Sequence, residues 1–166
     1  MMALPDNRQP PAFARIPLAD EAATQSLGRA LGRRLAAGDV MALAGPLGVG
    51  KSSLARALIQ SLTGEEEVPS PTFTLAQVYE GGEGMPALWH FDLYRLSDPR
   101  EAYELGIEEA FSNAISLVEW PERLGALLPG KALWVEMQFA GGGGRAVSLR
   151  GKAGWARRLA GLALDP

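Results

Sequence analysis

Gly45-Pro46-Leu47-Gly48-Val49-Gly50-Lys51-Ser52 spells G-x-x-x-x-G-K-[ST] in full. A loop of this kind wraps backbone N–H groups around nucleotide phosphates. Its lysine reaches the β- and γ-phosphates, and its hydroxyl holds Mg²⁺. Such a loop needs a strand before it and a helix after it. Asp39 to Ala44 is a short apolar run with a polar start, suited to a buried strand. From Ser52 to Leu62, the residues Leu54, Leu58 and Leu62 recur on one helical face beside Ala55 and Ile59, and Thr63-Gly64 supplies a stop.

Working outward, strand and helix patterns alternate. Ala14 to Leu18 suits an edge strand, where Pro17 is tolerated. Asp20 is an N-cap for a helix from Glu21 to about Ala37, with Leu27, Leu31 and Leu35 on one side. Phe73 to Tyr79 and Ala87 to Leu93 flank a Gly-rich turn and predict a hairpin; Leu133 to Phe139 and Ala146 to Leu149 predict a second around Gly141–Gly144. Asp98 and Pro99 open a helical stretch to Leu105, Ile115 to Trp120 reads as a buried strand cut off by Pro121, and a last helix runs from about Gly154 to Leu162. The fold class expected is α/β: a P-loop NTPase three-layer fold with a mixed, mostly parallel central sheet. The expected organisation is a tail over residues 1–15 and a single domain over residues 16–166.

Composition narrows the chemistry. The 166 residues contain no cysteine and one histidine, His90, which excludes disulfides, thiolate sites and multi-histidine metal sites. No apolar run approaches the ~20 residues of a membrane helix, and the Pro-rich start lacks the apolar stretch of a secretory signal. With net charge −3, general attraction to nucleic acid is not expected. Beyond Gly130 the chain turns basic, which suits an ordinary solvated face, a phosphate or an acidic partner surface.

A P-loop protein needs a further acidic group for its Mg²⁺, at the end of a buried strand. Asp92 and Glu119 both have that form. Ser70, Thr72 and Thr74 stand where nucleotide switches keep a γ-phosphate sensor, and equally where a strand-entry turn would satisfy its own hydroxyls. Trp120 either stacks near the nucleotide or fills the core edge. His90 reads as structural rather than as a catalytic base. No N-K-x-D or T-K-x-D guanine-reading segment occurs, which favours ATP over GTP. No arginine finger stands out, so turnover of the isolated chain is expected to be slow.

The set of motifs resembles the bacterial TsaE (YjeE) family, the small ATPase of tRNA threonylcarbamoyladenosine synthesis. The matching segments are Ile16 to Thr24, the P-loop, Ser70 to Leu75, His90 to Leu96, Gly106-Ile107 and Leu117 to Glu122. The resemblance implies a cytoplasmic, Mg²⁺-dependent ATP hydrolase acting with the partner proteins TsaB and TsaD, of which TsaD modifies adenosine 37 of tRNA. It reaches tRNA through that complex and has no membrane association. It implies phosphate contacts from Gly45 and from Gly48, Val49, Gly50, Lys51, Ser52 and Ser53, metal ligation by Ser52 and Glu119, catalytic roles for Lys51, Asp92 and Glu119, and nucleotide contacts from Thr72 and Trp120. It also brings Thr24 toward the adenine. Pro46 departs from the aspartate usual there, and Ser52-Ser53 from a threonine pair. A small-molecule kinase and a nucleotide-gated assembly factor without essential hydrolysis are the alternatives.

Overall fold

The computed structural model describes residues 9–162. The first strand, β1 (Ala12–Leu18), is an edge strand that begins four residues before the expected start of the domain. Residues 12–15 therefore belong to the sheet, and residues 1–8 of the expected tail lie outside the described residues. After helix α1 (Glu21–Gly32) come β2 (Val40–Ala44), the P-loop and helix α2 (Lys51–Thr63). The hairpin of β3 (Ala76–Tyr79) and β4 (Leu88–Asp92) leads through a 3-10 helix (Pro99–Leu105) and α3 (Ile107–Asn113) to β5 (Ile115–Glu119). A second 3-10 helix (Pro121–Leu127), the hairpin of β6 (Leu133–Phe139) and β7 (Arg145–Arg150), and α4 (Ala153–Arg158) complete the chain.

All seven strands form one sheet in the order β1-β7-β6-β2-β5-β4-β3. The central four, β6, β2, β5 and β4, run parallel; β1, β7 and β3 pair antiparallel. The mixed sheet with a parallel centre is thus the α/β fold read from the sequence, and both expected hairpins are present.

The central strands read as unbroken apolar runs because helices cover both faces. On one face, Met41 and Leu43 of β2 join Leu27 and Leu31 of α1 and Leu54 and Leu58 of α2. On the other, Val40 and Val118 join Phe91, Ile107, Ala110 and Leu124. Alternate residues of one strand therefore feed two cores. Helices α1 and α2 approach so closely that a Cβ on Gly28 would lie 2.5 Å from the Leu54 carbonyl oxygen.

Four local expectations need correction. Helix α1 stops at Gly32 rather than Ala37, because Arg34 and Leu35 donate to Leu31 and Gly32 in tighter turns and Asp39 accepts the Ala36 N–H at 2.6 Å. Leu35 still reaches the core from the turn. The extended run begins at Ala76, not Phe73: residues 72–74 form a turn closed by Leu75 N–H to the Pro71 carbonyl at 2.6 Å, and Leu75 has φ +66°. The stretch after Asp98 is a 3-10 helix, and the last helix ends at Arg158.

Candidate functional site

The P-loop joins β2 to α2 across the carboxyl end of the parallel sheet, the edge at which open α/β sheets bind ligands. Its glycines are required by its path. Gly48 and Gly50 have φ of +79° and +117°, and a Cβ on Gly45 would lie 2.6 Å from the Met137 carbonyl oxygen. Helix α2 has no side-chain cap and no acidic residue in its first turn. Its leading N–H groups and the positive end of its dipole suit an anion. Val49 is buried in the loop and Ser53 is half-buried in the first turn of the helix.

Asp92 and Glu119 are register partners at the ends of the neighbouring parallel strands β4 and β5. Both are buried, at 8% and 2% exposure, so neither is a free surface acid. Glu119 accepts from the Ser52 hydroxyl at 3.3 Å through Oε1, and its Oε2 lies 2.7 Å from His90 Nε2. Asp92 accepts from the Thr72 hydroxyl at 3.1 Å and from the Tyr94 N–H at 3.1 Å. Thr72 in turn shares a 2.6 Å hydrogen bond with Ser70. The hydroxyls of Ser70 and Thr72 therefore report to the acidic pair, whereas Thr74 accepts only from Gln77, at 3.4 Å.

Lys51 is buried with its ammonium turned back onto the loop. It donates to the Gly45 carbonyl and lies 3.6 Å from the centroid of the Trp120 ring. Burial lowers its pKa, opposed by the negative charges of Glu119, Glu122 and Asp92. Trp120 is half-buried and takes both readings at once: it packs against the second core and presents a ring face to Lys51. It does so from a left-handed conformation, φ +59°, where the strand breaks before Pro121.

Two clefts flank the loop and meet at Gly48. One of about 250 Å³ is lined by Lys51, Ser52, Thr72, Asp92, Glu119 and Trp120, with Leu47, Tyr94 and Arg95 at its rim. It gathers the three residues expected to be catalytic and both expected metal ligands. The other, of about 270 Å³, lies between the start of α1 and the tip of the β6–β7 hairpin. Asp20, Glu21, Thr24, Ser53, Gly143, Gly144 and Arg145 line it. Ser53 donates to Glu21 at 3.2 Å. Arg145 donates from Nε to the Val49 carbonyl at 3.0 Å and from Nη1 to the carbonyls of Gly143 and Gly144. Sequence reasoning brought Thr24 and its neighbours in the first helix here, without naming Glu21 for a role, and did not single out Arg145. Only the basic run after the four glycines pointed to the latter.

The donors fit Mg²⁺. Ser52, Thr72, Asp92 and Glu119 offer hard oxygens, and the described residues hold no group of three or more His, Cys, Asp or Glu that would cage a metal. Mg²⁺ favours such sparse protein ligation, with waters and phosphates completing its shell.

Comparison with known proteins gives the family and the fold. The family model described as threonylcarbamoyl adenosine biosynthesis protein TsaE matches residues 18–147. The tRNA threonylcarbamoyladenosine biosynthesis protein TsaE of Rickettsia bellii (strain RML369-C) is 38% identical over 123 residues, covering 74% of this chain and 84% of that protein. The protein of the same name from Mycobacterium tuberculosis (strain ATCC 25618 / H37Rv) is 38% identical over 122 residues, covering 69% and 73%. That from Treponema pallidum (strain Nichols) is 32% identical over 127 residues, covering 76% and 92%. Among solved structures, Bacillus subtilus YdiB superposes with a TM-score of 0.72 at 24% identity, covering 88% of this chain and 90% of that one, a likeness of fold. No helix among the described residues is long and apolar enough to cross a membrane.

Proposed function

The chain belongs to the TsaE family of tRNA threonylcarbamoyladenosine biosynthesis proteins, and on that premise we propose that it binds and hydrolyses ATP in support of tRNA threonylcarbamoylation. The single observation that carries the reading is the pairing of Asp92 and Glu119 on adjacent strands, facing Lys51 and Ser52 in one cleft. Holding Mg²⁺ takes one of the two acids, and the second, buried beside it, supports a role in turning water onto the γ-phosphate.

The nucleoside enters the cleft beside α1, near Thr24, Glu21 and Ser53. The backbone N–H groups from Gly48 to Ser53 cradle the phosphates. Lys51 leaves the Gly45 carbonyl for the β- and γ-phosphates, whose negative charge restores the proton affinity that burial lowers. Ser52 and Glu119 are the residues to hold Mg²⁺, which when bound neutralises charge on the phosphate oxygens. His90 fixes one oxygen of Glu119, leaving the other toward Ser52. Asp92, held by Thr72, orients the attacking water. Because Thr72 sits in the turn before β3, loss of the γ-phosphate has a direct route to the 70–75 segment. Leu47 at the rim and Phe73 under the rim residue Arg95 are 74% and 81% exposed, which leaves apolar surface near the cleft for the partner proteins.

The partners proposed are TsaB and TsaD, with tRNA reached through them in the cytoplasm. ATP turnover of the full chain, measured with and without the TsaB–TsaD pair, tests this. Turnover stimulated by the pair is expected. Equal, negligible ADP production in both arms overturns the hydrolytic reading.

A further inference from the structure

We propose that Arg95 is an arginine finger supplied by the chain itself, parked on Phe73 in this structure and aimed at the γ-phosphate during hydrolysis. The proposal rests on the ATPase reading above and names a catalytic residue for it.

Arg95 lines the same cleft as Lys51, Ser52, Thr72, Asp92 and Glu119. It leaves β4 three residues after Asp92, so the strand that sets the acid also sets the arginine. Its guanidinium lies over the exposed ring of Phe73, with Cζ 4.7 Å from the centroid. Among the described residues its guanidinium makes no hydrogen bond or ion pair, and it rests on this ring alone. An arginine at the rim of a cleft holding two carboxylates would ordinarily pair with one of them. Here all four carboxylate oxygens already have partners: Ser52 and His90 at Glu119, Thr72 and the Tyr94 N–H at Asp92. Its five donors remain for an anion entering the cleft, and a planar fork suits phosphate oxygens.

The turn that carries Phe73 also carries Thr72. Thr72 holds Asp92 while Phe73 holds Arg95, so one turn grips the water-orienting acid and the finger together. Lys51 rests on Trp120 in the same manner, which puts both cations of the cleft on aromatic faces at its walls. Neither face can compete with a phosphate dianion for a cation.

In the reaction, a water oxygen bonds to the γ-phosphorus as the bond from that phosphorus to the β,γ-bridging oxygen breaks. The bridging oxygen keeps the electron pair and leaves with ADP, and the two protons of the water leave with the inorganic phosphate or pass to solvent. Charge grows on the bridging and γ-oxygens at the transition state, within reach of a donor swung in from Phe73.

The test compares the full-length wild type with Arg95→Ala and Arg95→Lys. The readouts are kcat, KM, ADP affinity, and affinity for ADP with aluminium fluoride, a stand-in for the transition state. Arg95→Ala is expected to lower kcat by roughly 100-fold. It should change ADP affinity by less than about threefold and erase any tighter binding of the ADP–aluminium fluoride complex. Arg95→Lys should fall between, keeping the charge without the fork. The side chain is exposed, and an unchanged unfolding transition serves as the folding control. If ADP binds the wild type and both variants alike, with kcat and fluoroaluminate affinity also alike, the finger is overturned while the ATPase reading stands. If the wild type binds no nucleotide, the ATPase reading falls and the finger falls with it.

Discussion

The two clefts that meet at Gly48 are built by opposite means. On the β4–β5 side the work is done by buried side chains: Lys51, Asp92 and Glu119 are each under a tenth exposed. The two acids end strands whose register fixes them, and Lys51 opens helix α2 beside them. On the β6–β7 side the lining is largely backbone and exposed polar groups, from a glycine turn and the start of α1. One arginine, Arg145, ties that turn to the P-loop. The difference teaches where the chain has freedom. On the proposed reading, a change on the first side should alter charge at the reacting phosphate, whereas a change on the second should alter how firmly the nucleoside end is held.

The sharpest break comes at Lys51. Lys51→Ala removes the only cation buried among the acids of the catalytic cleft, and turnover should fall by at least about 1,000-fold. Steady-state ADP production checks it; a rate within tenfold of wild type would remove Lys51 from the chemistry. The variant should still fold. The lysine's burial makes its charged form costly, and alanine relieves that cost.

Glu119→Gln comes next. It keeps the shape and the chance of a hydrogen bond to Ser52 but removes the charge, and turnover should drop roughly 100-fold with a higher Mg²⁺ requirement. His90→Ala acts on the same carboxylate from behind and should cost only about 10-fold, as loss of an outer partner does. A Mg²⁺ titration of the two variants separates them. Equal losses would mean that the position of Glu119, rather than its charge, sets the rate.

The β4–β5 side was the more legible one, for a physical reason. A G-x-x-x-x-G-K-[ST] segment dictates its own backbone, and an acid at the end of an apolar run is placed by strand geometry alone. That geometry made Asp92 and Glu119 candidates, and only the fold, which buries both as register partners, separates them from exposed carboxylates. Arg145 needed the sheet order: β6 and β7 enter beside β2 and β1, and only that arrangement brings it across 96 residues of chain to the Val49 carbonyl. A strand-entry turn was one reading of Ser70 to Thr74, but its reach past Phe73 was hidden, because Phe73 to Tyr79 has strand-like composition throughout. The hydrogen bond to Asp92 and the Leu75 N–H to Pro71 bond override that preference locally. Trp120 in a left-handed conformation is likewise invisible to pattern, since a tryptophan there carries strain that only its packing sustains.

The smallest effect sharpens the comparison most, because it asks whether the two clefts are separable. Arg145 touches the P-loop through the backbone of Val49 and touches nothing in the catalytic cleft. Its other donors close the hairpin tip at Gly143 and Gly144, and its guanidinium packs over Phe139 with Cζ 4.5 Å from the ring centroid. Arg145→Ala therefore loosens one wall of the nucleoside cleft and one anchor of the loop while leaving Lys51, Asp92 and Glu119 in place. The loss should be uniform, equal for bound substrate and transition state: KM for ATP and Kd for ADP rise together, roughly fivefold or about 1 kcal/mol, with kcat unchanged. Isothermal titration with ADP beside steady-state kinetics gives both numbers. A fall in kcat at constant ADP affinity would show that the Val49 tether sets the geometry of the reacting phosphate, and the two clefts would then be one mechanical unit.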